Sequence, residues 1–98
     1  MINQQFIWGY IIECLFDDDA THQRKFWGFQ LFEKGLQLCP EEKISFLFTP
    51  NFMRTLINHS YEINRYLHEA AMHSVNRLSI WIWKYILNAI FLTCYSII

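Results

Sequence analysis

The stretch FLFTPNFMRTLINH, residues 46–59, decides the fold class. Thr49 carries a short hydroxyl suited to capping a helix N-terminus. Pro50 is pre-set for the first helical position, where a missing N–H costs nothing. Phe52, Met53, Leu56 and Ile57 then recur as pairs one turn apart, the pattern of one helix face. Arg54, Asn58 and His59 are assigned to the outward side. A start signal followed by a 3.6-residue apolar period predicts a short amphipathic helix, and residues 46–48 end the one before it.

The same pattern repeats in both directions. Upstream, Pro40 suits a helix first turn, Glu41 and Glu42 complement its dipole, and Ile44, Leu47 and Phe48 give i, i+3, i+4. Before that, DDDAT (17–21) supplies capping residues for a helix over about 22–38, with Phe29, Phe32 and Leu36 on one face and Trp27, Leu31 and Leu38 widening it. Gly28 and Gly35 are seven residues apart and share a side, which predicts a close helix–helix crossing at a propensity cost of roughly 1 kcal/mol each. Residues 3–16 carry the pairs Phe6/Ile7, Tyr10/Ile11 and Cys14/Leu15, with Trp8, Ile12 and Phe16 on the other side. Glu13 is the one charge there, so this helix is expected to be buried nearly all round. Downstream, Ser60 is read as the cap of a helix whose stripe is Ile63, Leu67, Ala70/Ala71, Ser74 and Leu78.

No segment alternates like a strand. Joints of two to five residues make consecutive helices fold back antiparallel. The predicted fold is all-α: short antiparallel helix pairs in an α-solenoid of HEAT or armadillo type, whose repeats run about 40–47 residues. Residues 1–75 form the helical-repeat segment. Two repeats are fewer than a solenoid needs to stand alone, so a fragment of a longer chain is expected, its partners being further repeats or other proteins.

Composition agrees. The chain is 53% apolar and 18% aromatic. A domain of this size buries only about 60–65% of its unfolded surface. The excess apolar surface needs a neighbour. Eight Lys+Arg against nine Asp+Glu leave a net charge of −1, which offers phosphate backbones no attraction. The three cysteines, Cys14, Cys39 and Cys94, are odd in number and widely spaced, which points to reduced, buried thiols.

From Val75 the composition shifts. VNRLSIWIWKYILNAIFLTCYSII has one charge, Lys84, after Arg77. Residues 76–98 are read as an apolar C-terminal helix with three possible origins. It is a buried or partner-facing helix, a non-native tail translated from A+T-rich non-coding sequence, or a membrane anchor. The alternative function is accordingly a small single-pass membrane protein anchored by residues 78–98. Lys84 and Asn88 oppose that, since a Lys inside the span costs about 2.5–3.5 kcal/mol.

No chemistry is assigned: catalytic, cofactor-binding and metal residues are all none. HEAAMH (68–73) resembles H-E-x-x-H but places its histidines five apart, about 140° around a helix, where they cannot share one metal. Asp17, Asp18 and Asp19 read as a solvated helix start. Cys39 has no histidine placed beside it.

Phe26-Trp27-Gly28-Phe29, the run Leu47-Phe48-Thr49-Pro50-Asn51-Phe52-Met53-Arg54, Leu56-Ile57-Asn58, and Arg65-Tyr66-Leu67-His68 with Ala70-Ala71 together resemble a segment of the DNA polymerase phi family. This is the nucleolar family of Myb-binding protein 1A and the fungal fifth DNA polymerase. The resemblance covers about residues 22–73 and stops near Val75. Glu69 stands where a basic residue is expected. What it implies is a long, non-enzymatic helical-repeat protein of the nucleus and nucleolus. Such proteins serve ribosomal RNA transcription, ribosome biogenesis and transcription regulation, and reach DNA or RNA indirectly or through basic tails absent here.

Overall fold

A computed structural model describes residues 4–63 and 65–97. The expected helix start near residue 3, the side chains of Phe6 and Cys94, and Ile98 lie outside the described residues. The order is α1 (Gln4–Leu15), α2 (His22–Leu38), a 3₁₀ helix (Glu41–Leu47), α3 (Pro50–Tyr61) and α4 (His68–Ile97). The fold is all-α, with no strand among the described residues.

Local signals set most of these limits. Thr21 Oγ1 accepts a hydrogen bond from the Arg24 N–H at 3.2 Å and opens α2. The Cys39 N–H donates to the Gly35 carbonyl at 2.8 Å and closes it, directly before Pro40. Thr49 Oγ1 accepts from the Phe52 N–H at 3.3 Å, with Pro50 at the first helical position of α3. The segment between the two prolines is 3₁₀ rather than α-helical. Three residues per turn put Ile44 and Leu47 on one line, and both are buried.

The core is an aromatic pile with an aliphatic rim. Phe16, Phe29, Phe32 and Phe52 are all at most 1% exposed. Phe32 and Phe52 stack with centroids 4.1 Å apart, and the Phe16 edge meets Phe29 at 4.9 Å. Ile12, Leu36, Leu47, Leu56, Leu67 and Ala71 close around them. The inward face of α1 is therefore Ile12 and Phe16, with Trp8 half-buried. The expectation of burial nearly all round is corrected: Ile7, Tyr10, Ile11 and Cys14 face solvent. Cys14 is thus an exposed free thiol, not a buried one, while Cys39 is half-buried and free.

Both glycines of α2 sit at close crossings. A Cβ on Gly28 would lie 2.6 Å from Phe16 Cζ, and one on Gly35 would lie 3.0 Å from both Leu47 methyls. The Phe16 ring is locked among Phe29 and Phe52 and stands closer to the added carbon than the flexible end of the Leu47 side chain does. Gly28→Ala is therefore expected to lose about 1–2 kcal/mol net, overpacking exceeding the roughly 1 kcal/mol gained in helix propensity. Gly35→Ala should come out near neutral. Urea midpoints of the two variants check the ordering.

Glu13, the lone charge of α1, has a defined partner. Its carboxylate accepts from the Asn51 N–H at 3.0 Å, and its carbonyl accepts from Asn51 Nδ2 at 3.1 Å. That N–H is one of the donors a helix start leaves without an intrahelical acceptor, so α1 caps α3 from outside. Asp18 pairs with Arg54 of α3 at 2.8 Å, and Arg54 also donates to Asn51 Oδ1.

The start of α4 differs from expectation. Ser60 donates to the Ile57 carbonyl inside α3 instead of capping a new helix. Residues 62, 63 and 65–67 lie in the connection, and Ile63 is exposed in it. The first half of α4 lies on α2 and α3, with Ala71 and Ser74 buried, Leu67 buried just before it, and Val75, Leu78 and Trp81 half-buried. From Ile82 to Thr93 every side chain is exposed. A helix of 30 residues is about 45 Å long, and its far half extends past the core. The radius of gyration is 15.3 Å, against about 13 Å for a compact chain of this length.

Candidate interaction surface

The residues singled out for possible chemistry are dispersed. Asp18 is held by Arg54, while Asp17 and Asp19 are exposed at the α1–α2 turn. His73 pairs with Glu33 across the α2–α4 seam. His68 Nδ1 donates to the His59 carbonyl at 2.8 Å. Cys39 ends α2. Among the described residues no group of three or more His, Cys, Asp or Glu is placed to hold a metal ion. Asp18, His68 and His73 tie separate elements to one another.

His59 is the polar residue that sequence reasoning misplaced. It is buried, not outward, and its Nδ1 has no hydrogen-bond partner. Burial first, then the positive fields of Arg65, Lys25 and His22, hold its pKa below the ordinary value, against the opposing pull of Glu62. The signal was available: residues 52, 56 and 59 run i, i+4, i+7, a truer stripe than 53 and 57. In keeping with it, Ile57 is 57% exposed.

What the surface does offer is apolar area. On α4, Ile82, Trp83, Ile86 and Ile90 are all exposed and lie on the side of the helix away from Lys84 and Asn88. On α1, Ile7, Tyr10 and Ile11 form a second exposed strip. Between the end of α2, the 3₁₀ helix and α4 runs an open groove lined by Leu36, Cys39, Glu41, Trp81, Lys84 and Tyr85. Trp81 and Tyr85 stack along it, centroids 5.7 Å apart. Contiguous exposed apolar area is the kind of surface proteins use for association. The membrane reading of residues 78–98 finds no support, because no helix among the described residues is long and apolar enough to cross a bilayer.

Comparison with known proteins extends the resemblance at both ends. The family model described as DNA polymerase phi matches residues 4–84, which takes in α1 and continues past the composition break near Val75. The chain is 36% identical over 72 residues to the rDNA transcriptional regulator pol5 of Schizosaccharomyces pombe, covering 72% of this chain and 8% of that protein. It is 32% identical over 66 residues to the rDNA transcriptional regulator POL5 of Saccharomyces cerevisiae, covering 67% of this chain and 6% of that protein. The chain thus spans less than a tenth of the length of these relatives. No solved structure matches it. With the family's pattern running through all four α-helices, the chain belongs to the DNA polymerase phi family.

Proposed function

We propose that this chain is a non-catalytic helical scaffold segment of a nucleolar regulator of ribosomal RNA transcription. The observation that carries the reading is its similarity, across most of its length, to two fungal proteins whose names describe rDNA transcriptional regulators. The geometry fits a packing role. The four helices enclose one small aromatic core, and the remaining apolar strips on α1 and α4 face outward as surfaces for adjoining helices. In this reading the chain is a slice of an armadillo-like array. Residues 1–75 are its repeat segment, and the far half of α4 reaches toward the next unit. A net charge of −1 assigns any nucleic-acid contact to other parts of such a protein.

A segment exchange in fission yeast tests this. The stretch of pol5 matching residues 4–84 is deleted, or replaced by residues 4–84 of this chain, and pulse-labelled precursor rRNA is measured. Deletion is expected to lower rRNA synthesis several-fold, and the graft to restore most of it with the fusion located in the nucleolus. Normal rRNA synthesis after deletion would sink the proposal.

A further inference from the structure

Three of the four histidines gather where α3 passes into α4. His59 lies in the last turn of α3 with its ring buried at 7% exposure. Its carbonyl accepts the hydrogen bond from Nδ1 of His68, the first residue of α4. His22, the first residue of α2, stacks on Tyr66 of the connection, ring centroids 4.8 Å apart and planes 17° from parallel. One residue therefore ties both ends of the joint: its ring sits in the core and its carbonyl holds the start of α4. Beside the stack lies a cavity lined by His22, Gln23, Phe26, Tyr66, Glu69 and Ala70.

The charges around this joint come from three elements. α2 presents His22 and Lys25. The connection presents Arg65 and Glu62, paired at 3.0 Å. α4 presents His68 and Glu69. Glu62 favours a positive ring, but its carboxylate is already engaged by Arg65.

We infer that the α3–α4 connection is a proton-sensitive joint, closed while the His59 ring is neutral and opened when that ring is charged. A charged imidazole needs acceptors for two N–H groups, and Nδ1 of His59 has none. A buried charge without a partner is relieved by moving to water. From the last turn of α3 the ring reaches water by unwinding that turn. Unwinding withdraws the His59 carbonyl from His68 and frees the connection. The rings of Phe16, Phe29, Phe32 and Phe52 lie on other turns and stay packed.

The direction with pH follows from linkage. The closed state holds the His59 pKa below 6.5, and the opened state returns it toward 6.5. Between those values the open form binds the extra proton, so opening grows easier as pH falls below about 6.5 and levels off below the closed-state value.

Amide hydrogen exchange on the intact chain, read residue by residue by NMR between about pH 7.5 and about pH 5, tests the joint. Protection at residues 59–63 and 65–68, corrected for intrinsic exchange, is expected to fall, while core positions of α1 and α2 change less than about twofold. His59→Gln, which cannot take up a proton, should flatten the response, and His22→Gln should leave it in place. Uniform loss of protection, constant protection at 59–63 and 65–68, or an unchanged response in His59→Gln would overturn the inference. Should the Gln variant not fold, the ring-proton shift of His59 in the natural chain decides: a midpoint below 6.5 that coincides with the loss of protection at 59–63 and 65–68 supports the joint, and a midpoint at or above 6.5, or one that does not track the loss, overturns it.

Discussion

Phe52→Ala lowers the unfolding free energy by about 3–5 kcal/mol, the usual loss for a buried Phe, and leaves much of the chain unfolded. Phe52 is fully buried and touches more of the pile than any other ring. It stacks on Phe32 at 4.1 Å and lies 5.2 Å from Phe16 and 6.2 Å from Phe29. Removing it opens a cavity bordered by four rings, Phe48 at 6.3 Å among them, and rigid rings collapse poorly into a void. Small domains hold only about 5–15 kcal/mol in total, so this single loss takes a large share. Urea unfolding followed by far-ultraviolet circular dichroism measures it. Ile57→Ala, one helix face away and 57% exposed, is the control and should shift stability by less than about 0.5 kcal/mol. Equal effects at the two positions would mean that the core is not where the rings meet.

The second large effect concerns association, not folding. Ile82, Trp83, Ile86 and Ile90 replaced together by Gln should turn a self-associating or aggregating chain into a dispersed monomer, with helix content unchanged. Each of these side chains is between 40% and 61% exposed, and the last core contacts of α4 come at Leu78 and Trp81. Gln is a good helix former, so α4 persists. Full burial of one such side chain is worth about 1.5–3 kcal/mol, and a hundredfold change in affinity needs about 2.8 kcal/mol, so partial burial of four suffices. Sedimentation velocity at several concentrations reads the result. A natural chain that already sediments as a monomer at all of them would remove the premise.

Elements bounded by short-range chemistry were legible in the sequence. The limits of α2 follow from Thr21 and Pro40, and the start of α3 follows from Thr49 and Pro50. The two glycine crossings were legible as well, because only close approach makes Gly useful inside a helix. Which face turned inward was less so. On α1 two apolar faces competed, and the winner was the one carrying Phe16, because its ring fits the slot at Gly28. On α3 the polar name of His59 hid a core position, although its spacing from Phe52 and Leu56 was right. Ser60 looked like a cap, but the helix around it already satisfied its backbone. No catalytic constellation was read from the sequence, and the candidates weighed there serve in the structure as ties: Asp18 to Arg54, and His73 to Glu33. The apolar strips were foreseeable only as an excess, since composition states how much surface is left over and not where it lies.

The glycine at 28 and the phenyl ring at 16 divide one volume between α2 and the end of α1. Neither partner's size is free to drift alone. A methyl gained at position 28 has to be matched by carbon given up at position 16, so the pair is inherited as a unit.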